Sequence, residues 1–362
     1  MSQRVRIKDI AKRAGVSKGT VDRVLHDRGN VSKEAMKRVL AAMKELDYEP
    51  NQLARVLANN KTWKIATLLP HLEGDCFWER PDEGIDRAIE IVKDYGVDVD
   101  KYHFDDDAPA SFVEQCKCIL EKHYDAVLVA PIFLQESHAF FDRCEQSGIK
   151  YAQLNTYIER KSQHFLFYIG QDSYHSGVLG AKLLNFGLSE GETALILHLE
   201  KDVYNAPHLL EKERGFEDYF SQLKDNKIFT AKASFPDIEN RHQFQKFIEF
   251  LLKEYPKLKG VFVTTSRSFH LVEQLEKMGV HHLKLVAFDL IEENLDCLKN
   301  DKIDFLVNQN PIKQGYIGIM NLMNYFVFDR IPPEIEHLPL DIVMKENFQY
   351  YLFEQKQVHR VV

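Results

Sequence analysis

Long apolar runs are missing from this 362-residue chain, and that absence narrows its class first. No stretch of eighteen or more apolar residues occurs, so no segment reads as a membrane-spanning helix. Met1-Ser2-Gln3-Arg4-Val5-Arg6 has no apolar core of the kind a secretory signal needs, from which a cytoplasmic protein is expected. Cysteine is scarce: Cys76, Cys116, Cys118, Cys144 and Cys297 are an odd, scattered set without a disulfide framework. Cys116-x-Cys118 lacks a second Cys/His pair at ligand spacing, so it reads as reduced thiols on a helix. Also absent are a Gly-x-Ser-x-Gly elbow, a Gly-rich phosphate loop and a His-Glu-x-x-His zinc motif. No catalytic residue can be named, and neither a cofactor nor a metal is expected. His281-His282 reads as a solvated loop pair. Three consecutive aspartates, Asp105 to Asp107, cannot all converge on one ion, so a solvated turn is expected there.

Charge is present in quantity but unevenly placed. Residues 1–60 hold thirteen Lys or Arg against seven Asp or Glu, a net of +6. The whole chain is at −8, so residues 61–362 carry −14. A basic segment on an otherwise acidic chain is the electrostatic footprint of a nucleic-acid-binding module. Within it, Ile7, Ile10, Ala11 and Ala14 recur at helical spacing and share an apolar face. Gly15 can end that helix and Ser17 can N-cap the next. In the second helix Val21, Val24 and Leu25 form the inner stripe. Lys18, Gly19, Asp22 and Arg23 stay outside, where a major groove could be read or, equally on periodicity alone, where water solvates an ordinary helical hairpin.

Asp9-Ile10-Ala11, Ala14-Gly15-Val16-Ser17, Thr20-Val21-x-Arg23-Val24-Leu25, Val31-Ser32 and Leu46-x-Tyr48-x-Pro50-Asn51 resemble, in order, the headpiece of the lac-repressor (LacI/GalR) family. The resemblance implies a helix-turn-helix headpiece at 1–50, a hinge helix at 51–61 and a sugar-sensing core like that of ribose-type periplasmic binding proteins. It implies double-stranded operator DNA as a partner. The DNA-contacting positions it marks are Ser17, Lys18, Gly19, Thr20, Asp22, Arg23 and His26, with Asn51, Ala54 and Leu57 in the hinge. Leu57 matches the leucine that wedges into the minor groove and kinks the duplex; the plainer alternative is a linker helix with Leu57 packed on the core. Asp22 departs from the family, where a small phosphate-contacting residue is usual, and in the groove it could accept from cytosine N4.

From Lys64 onward apolar strands alternate with amphipathic helices in two successive runs, with strands at 65–69, 126–130, 151–154, 194–197, 228–233, 260–263 and 285–288. The pattern predicts an α/β fold of two doubly wound parallel subdomains. The resembling fold crosses between lobes three times, expected near 165–168, 304–310 and 330–336. The two-lobed core is therefore placed at 62–345, with lobe 1 at about 62–165 and 308–330, lobe 2 at about 166–307 and 331–345, and a tail at 346–362.

A ligand in such sheets binds at the carboxyl ends of the strands, between the lobes. The loop His71 to Glu79 resembles one in which paired aromatics sandwich a sugar ring, which makes Phe77 and Trp78 candidates, unless one ring merely anchors the loop. Asp289 matches a strand-end aspartate that accepts from sugar hydroxyls, or else it caps a helix at 291–299. Gln309 resembles a family glutamine that reaches the sugar. The family's Arg-x-x-Gly-Phe reads Lys212-Glu213-Arg214-Gly215-Phe216 here; lysine has no planar fork, so any clamp by Lys212 or Arg214 is altered. Its strand-end Asn-Asp reads Thr265-Ser266-Arg267, and the charge of Arg267 would suit a carboxylated sugar. The resemblance thus implies a regulator, expected to be a repressor, acting as a homodimer because two headpieces read two half-sites. A carbohydrate effector would shift the lobes by its differential affinity for two states. A heptad repeat is missing from Phe348 to Val362, so dimers and not tetramers are expected. A sugar-binding protein without regulatory role is opposed by the headpiece, and a carbohydrate enzyme by the missing catalytic motifs.

Overall fold

The computed structural model describes residues 5–25, 29, 31–46, 48, 61–71, 77–223 and 227–357. They form two compact units, residues 1–61 and 62–362. Among its described residues the first holds three helices: α1 (Ile7–Ala14), α2 (Lys18–Leu25) and α3 (Lys33–Glu45). Gly15 closes α1 at φ 64°, a left-handed conformation that costs glycine little and most residues a good deal. The Ser17 hydroxyl accepts from the Thr20 amide at 3.1 Å and starts α2, and Ser32 does the same for Ala35 in α3. Ile10, Ala11, Ala14, Val21, Val39 and Ala42 pack into one small core. An ion pair joins Arg13 to Glu45 across α1 and α3.

The second unit contains two six-stranded sheets. Its strands are β1 (Trp63–Pro70), β2 (Val97–Phe104), β3 (Ala126–Val129), β4 (Lys150–Leu154), β5 (Phe165–Gly170), β6 (Thr193–His198), β7 (Phe229–Ser234), β8 (Leu258–Val263), β9 (Lys284–Phe288), β10 (Phe305–Asn308), β11 (Ile335–His337) and β12 (Asp341–Val343). The first sheet runs β11-β5-β4-β3-β1-β2 and the second β12-β10-β9-β8-β6-β7. All pairings are parallel except β10 with β12. Each sheet has apolar side chains packed on both faces, as doubly wound sheets require. This is the architecture expected from the alternation. The edge strand β2 was not among the expected strands, because Val97-Asp98-Val99-Asp100-Lys101 is mostly exposed and lacks the apolar run of a central strand.

The α-helices among the described residues of this unit are α4 (Glu79–Val92), α5 (Pro109–Leu120), α6 (Leu134–Gln146), α7 (Ser173–Asn185), α8 (Pro207–Gln222), α9 (Arg241–Glu254), α10 (Ser268–Lys277), α11 (Glu292–Lys299) and α12 (Pro311–Phe328), with a last one near the C-terminus. Two pairs are held unusually close by reciprocal glycines. A Cβ on Gly84 of α4 would stand 2.0 Å from the Ile312 carbonyl, and one on Gly315 of α12 would stand 1.9 Å from that of Pro81. In lobe 2 the same relation binds α7 to α8: Gly177 meets the Lys212 carbonyl and Gly215 that of Tyr174, each at 2.0 Å. Gly215 in the Lys-Glu-Arg-Gly-Phe segment therefore serves helix packing, and Phe216 beside it is fully buried.

Two lobe boundaries differ from expectation. The first crossing comes after Gly170, because Phe165 to Gly170 pairs with β4 and completes the first sheet before the chain leaves. The third comes between His337 and Asp341, since β11 still pairs with β5 while β12 joins β10. The second, between Asn308 and Pro311, falls inside the expected range. Residues 166–170 and 331–337 thus belong to lobe 1. The segment expected as a tail forms α13 (Phe348–Gln357), and Phe348, Tyr351 and Leu352 lie on the core of lobe 2.

Candidate functional site

Of the nucleic-acid candidates, Lys18, Gly19 and Arg23 are exposed and Thr20 and Asp22 half-buried on α2. Ser17 is exposed but its hydroxyl is engaged, accepting from the Thr20 amide and lying 2.9 Å from the Thr20 hydroxyl. His26, Asn51, Ala54 and Leu57 lie outside the described residues, as does Cys76. The inner stripe packs as the periodicity required: Val21 is buried, Val24 and Leu25 half-buried.

The carboxyl ends of the strands in both sheets face one cavity of about 110 Å³, several times what one water molecule needs. Three residues at these strand ends hold left-handed backbone: Asn155 after β4 at φ 65°, Asp289 after β9 at φ 69° and Asn310 after β10 at φ 55°. Asn and Asp tolerate this region better than other side chains, and such strain concentrates where a side chain must be aimed. The result is a buried polar chain across the cleft. Gln309 Nε2 donates to both Asp289 carboxylate oxygens at 2.9 Å. Asn155 Nδ2 donates to Gln309 Oε1 at 3.3 Å and to Gln314 Oε1 at 3.2 Å, and Gln314 Nε2 donates to the Gln309 carbonyl at 2.9 Å. Asp289 belongs to lobe 2 and Asn155 to lobe 1, so Gln309 at the crossing reads both.

Asp289 does not cap a helix: the residue before α11 is Ile291, which makes no side-chain cap. Lys212 is buried beneath it, 2% exposed, with Nζ donating to the Thr264 carbonyl at 2.9 Å and standing 3.7 Å above the Phe288 ring. Burial pushes its ammonium well down from the usual lysine range, and the Asp289 carboxylate opposes that fall. Arg214, in contrast, leaves the cleft. Two residues along a helix turn the side chain by roughly 200°, so it reaches solvent, pairs with Glu211 at 2.6 Å and lies over the Tyr174 ring.

Arg267 lines the cavity, but its charge is matched: it meets Asp106 of the opposite lobe at 2.6 Å. Lys201 meets Asp107 likewise at 2.6 Å. The triple aspartate forms a turn with Asp105 and Asp107 exposed, as expected, and two of its members also bridge the lobes. Asn205 adds a further bridge, accepting from the Gln135 amide and donating to Glu136. Phe77 and Trp78 both line the cavity and both sit in the core of lobe 1. Their planes are 83° apart with centroids at 5.0 Å, an edge-on pair, so the two do not form parallel walls around a ring. Phe133, which the sequence reading missed, supplies another aromatic wall.

Other lining residues also escaped notice. Gln171, 2% exposed at the first crossing, has an Oε1 without a hydrogen-bond partner; of the residues the sequence did mark, Thr265 has an Oγ1 that is buried and unpartnered too. A buried acceptor without a donor costs free energy until something supplies one. His208, in the first turn of α8, stands 3.4 Å from the Thr156 hydroxyl of lobe 1, and burial pushes its imidazole down to about 3. Glu200 is held above the usual carboxylate range by burial. Polar residues just after strands were the one signal that could have marked Asn155, Gln171 and Glu200. Among the described residues no group of His, Cys, Asp or Glu is arranged to hold a metal ion.

Comparison with known proteins places both units. Residues 6–51 match the family described as bacterial regulatory proteins, lacI family, and residues 65–328 match the periplasmic binding protein domain. The chain is 27% identical over 290 residues to the ribose operon repressor of Halalkalibacterium halodurans, covering 78% of this chain and 80% of that one. It is 23% identical over 317 residues to the sucrose operon repressor of Lactococcus lactis, covering 84% and 92%. A solved structure from Bacteroides fragilis, described as a LacI transcriptional regulator, superposes with a TM-score of 0.73 at 26% identity, covering 80% of this chain and all of that one.

Proposed function

The chain belongs to the lacI family of bacterial regulatory proteins, and on that premise we propose a homodimeric transcriptional repressor whose hold on operator DNA is set by a sugar in the interlobe cleft. The observation that carries the sugar is the pair of buried, unpartnered acceptors, Gln171 Oε1 and Thr265 Oγ1, in a cavity that also presents Asp289. A polyhydroxylated ring satisfies such atoms with its own hydroxyl hydrogens, and Phe77, Trp78 and Phe133 offer surface to its C–H groups. The named relatives regulate ribose and sucrose operons, which puts carbohydrates first among candidate effectors.

On the DNA side, Lys18, Gly19 and Arg23 present the face that enters the major groove, with Thr20 and Asp22 beside them and Ser17 holding the turn. His26 and the hinge residues Asn51, Ala54 and Leu57 extend the contact. Ligand that favours closed lobes changes the spacing of two headpieces by its differential affinity for the two states. Selection of bound sequences from a random duplex pool, followed by mobility-shift titration with sugars, tests both halves. The expected result is a two-half-site sequence whose retention changes with one sugar class. Retention indifferent to duplex sequence would overturn the repressor reading, and a sequence-specific complex indifferent to every sugar would overturn the effector reading.

A further inference from the structure

The cleft does not end at the interlobe ion pairs. Beyond them lies a second chamber of about 250 Å³ in lobe 2, formed by the loop after β7 and the first turns of α10 and α11. Asp106, Asp107, Lys201 and Arg267 line both chambers, so the two ion pairs frame a shared neck. The outer chamber has its own recognition surface. Ile238 and Ile291 are buried apolar floor, and the rings of Phe269 and His270 lie 4.1 Å apart at its side.

We propose that the effector is a glycoside of two linked units without an acidic group, one ring in the inner cavity and the second unit through the neck in the outer chamber. This rests on the reading of the cleft as a sugar site. A single ring satisfies Gln171 and Thr265 and leaves the outer chamber to water, whereas a linked second unit covers Phe269 and Ile291. The charges set the class. Asp237, Glu239 and Glu293 line the outer chamber, and among the described residues its lysine and arginine are the two already matched by Asp106 and Asp107. A phosphate or carboxylate on the second unit meets net negative potential and is repelled; neutral hydroxyls find acceptors.

The test uses calorimetry on the full chain with ribose, glucose and galactose against sucrose, maltose and cellobiose, and with sucrose phosphate as the acidic probe. At least one disaccharide is expected to bind ten-fold or more tighter than any monosaccharide, and the phosphorylated form ten-fold or more weaker than its parent. Glu239→Trp fills the outer chamber from an exposed position. It should remove the disaccharide advantage and leave monosaccharide affinity unchanged, with His270→Trp as a second, independent obstruction. Equal affinities for one and two rings, or disaccharide binding untouched by both obstructions, would overturn the proposal. In either case a ten-fold loss for every sugar in Asp289→Asn would leave the inner site standing. Absence of binding by all six sugars overturns the sugar-site reading and this proposal together.

Discussion

Replacing Asp289 by asparagine separates a ligand-binding carboxylate from a structural one. The wild-type carboxylate accepts twice from Gln309 Nε2 at 2.9 Å, at a residue whose φ is 69°. Alanine there removes both acceptors and leaves a buried amide donor unmatched, at about 1–3 kcal/mol. It also places an ordinary side chain in left-handed backbone, at about 1–2 kcal/mol. Alanine therefore confounds stability with binding. Asparagine keeps one acceptor for Gln309 and tolerates the backbone, so the loss of stability should stay within about 1 kcal/mol. What it removes is charge. A hydrogen bond to a charged group contributes about 1.5–3 kcal/mol against about 0.5–1.5 for a neutral one. The expected penalty on effector binding is the difference, about 1–1.5 kcal/mol, or roughly ten-fold. Calorimetric affinity and melting temperature measured on the same variant give both quantities. Wild-type effector affinity in Asp289→Asn would refute the assignment of this carboxylate to ligand.

The remaining predictions concern helix packing, pH and DNA. Gly315→Ala would put a Cβ 1.9 Å from the Pro81 carbonyl, so α12 must shift; chemical denaturation should show a loss of at least about 1–3 kcal/mol, and an unchanged midpoint would disprove the close approach. His208 is held down to about 3 from its ordinary 6.5, so it binds fewer protons folded than unfolded between those values. Its contribution to stability is present above pH 6.5 and is lost as pH falls toward 3, at up to about 1.4 kcal/mol per pH unit. His208→Gln should accordingly flatten the acid limb of the stability curve, and a parallel curve would disprove the neutral buried imidazole. Arg23→Ala should cost roughly 1–3 kcal/mol in operator affinity and relax preference at one base pair, with no change in the melting of the core. Residues 62–362 alone, at −15 once Lys61 is also removed, should bind no duplex; salt-sensitive DNA binding by that fragment would overturn the division between the units.

Sequence by itself determined the local rules of this protein. The spacing of Ile10, Ala11, Ala14 and Val21 decided which faces of the first helices meet, because periodicity fixes what can be buried together. Apolar strand runs alternating with helices decided two parallel sheets, since a strand buried on both faces has almost no other composition available to it. Asp289 and Gln309 were legible because each directly follows a strand, at the end where such sheets bind.

Tertiary structure alone decided the rest of the cleft. Arg267 meets Asp106 across 161 positions and Asn155 meets Gln309 across 154, contacts that no periodicity encodes. They exist because two lobes approach each other. The same approach matched the charge of Arg267, which in sequence pointed to a carboxylated ligand, and paired Asp106 and Asp107 across the cleft. Helix geometry sent Lys212 inward and Arg214 outward although the two are neighbours but one. Lobe boundaries followed hydrogen-bond pairing: β5 and β11 complete the first sheet, and pairing partners are chosen by the sheet and not by the strand.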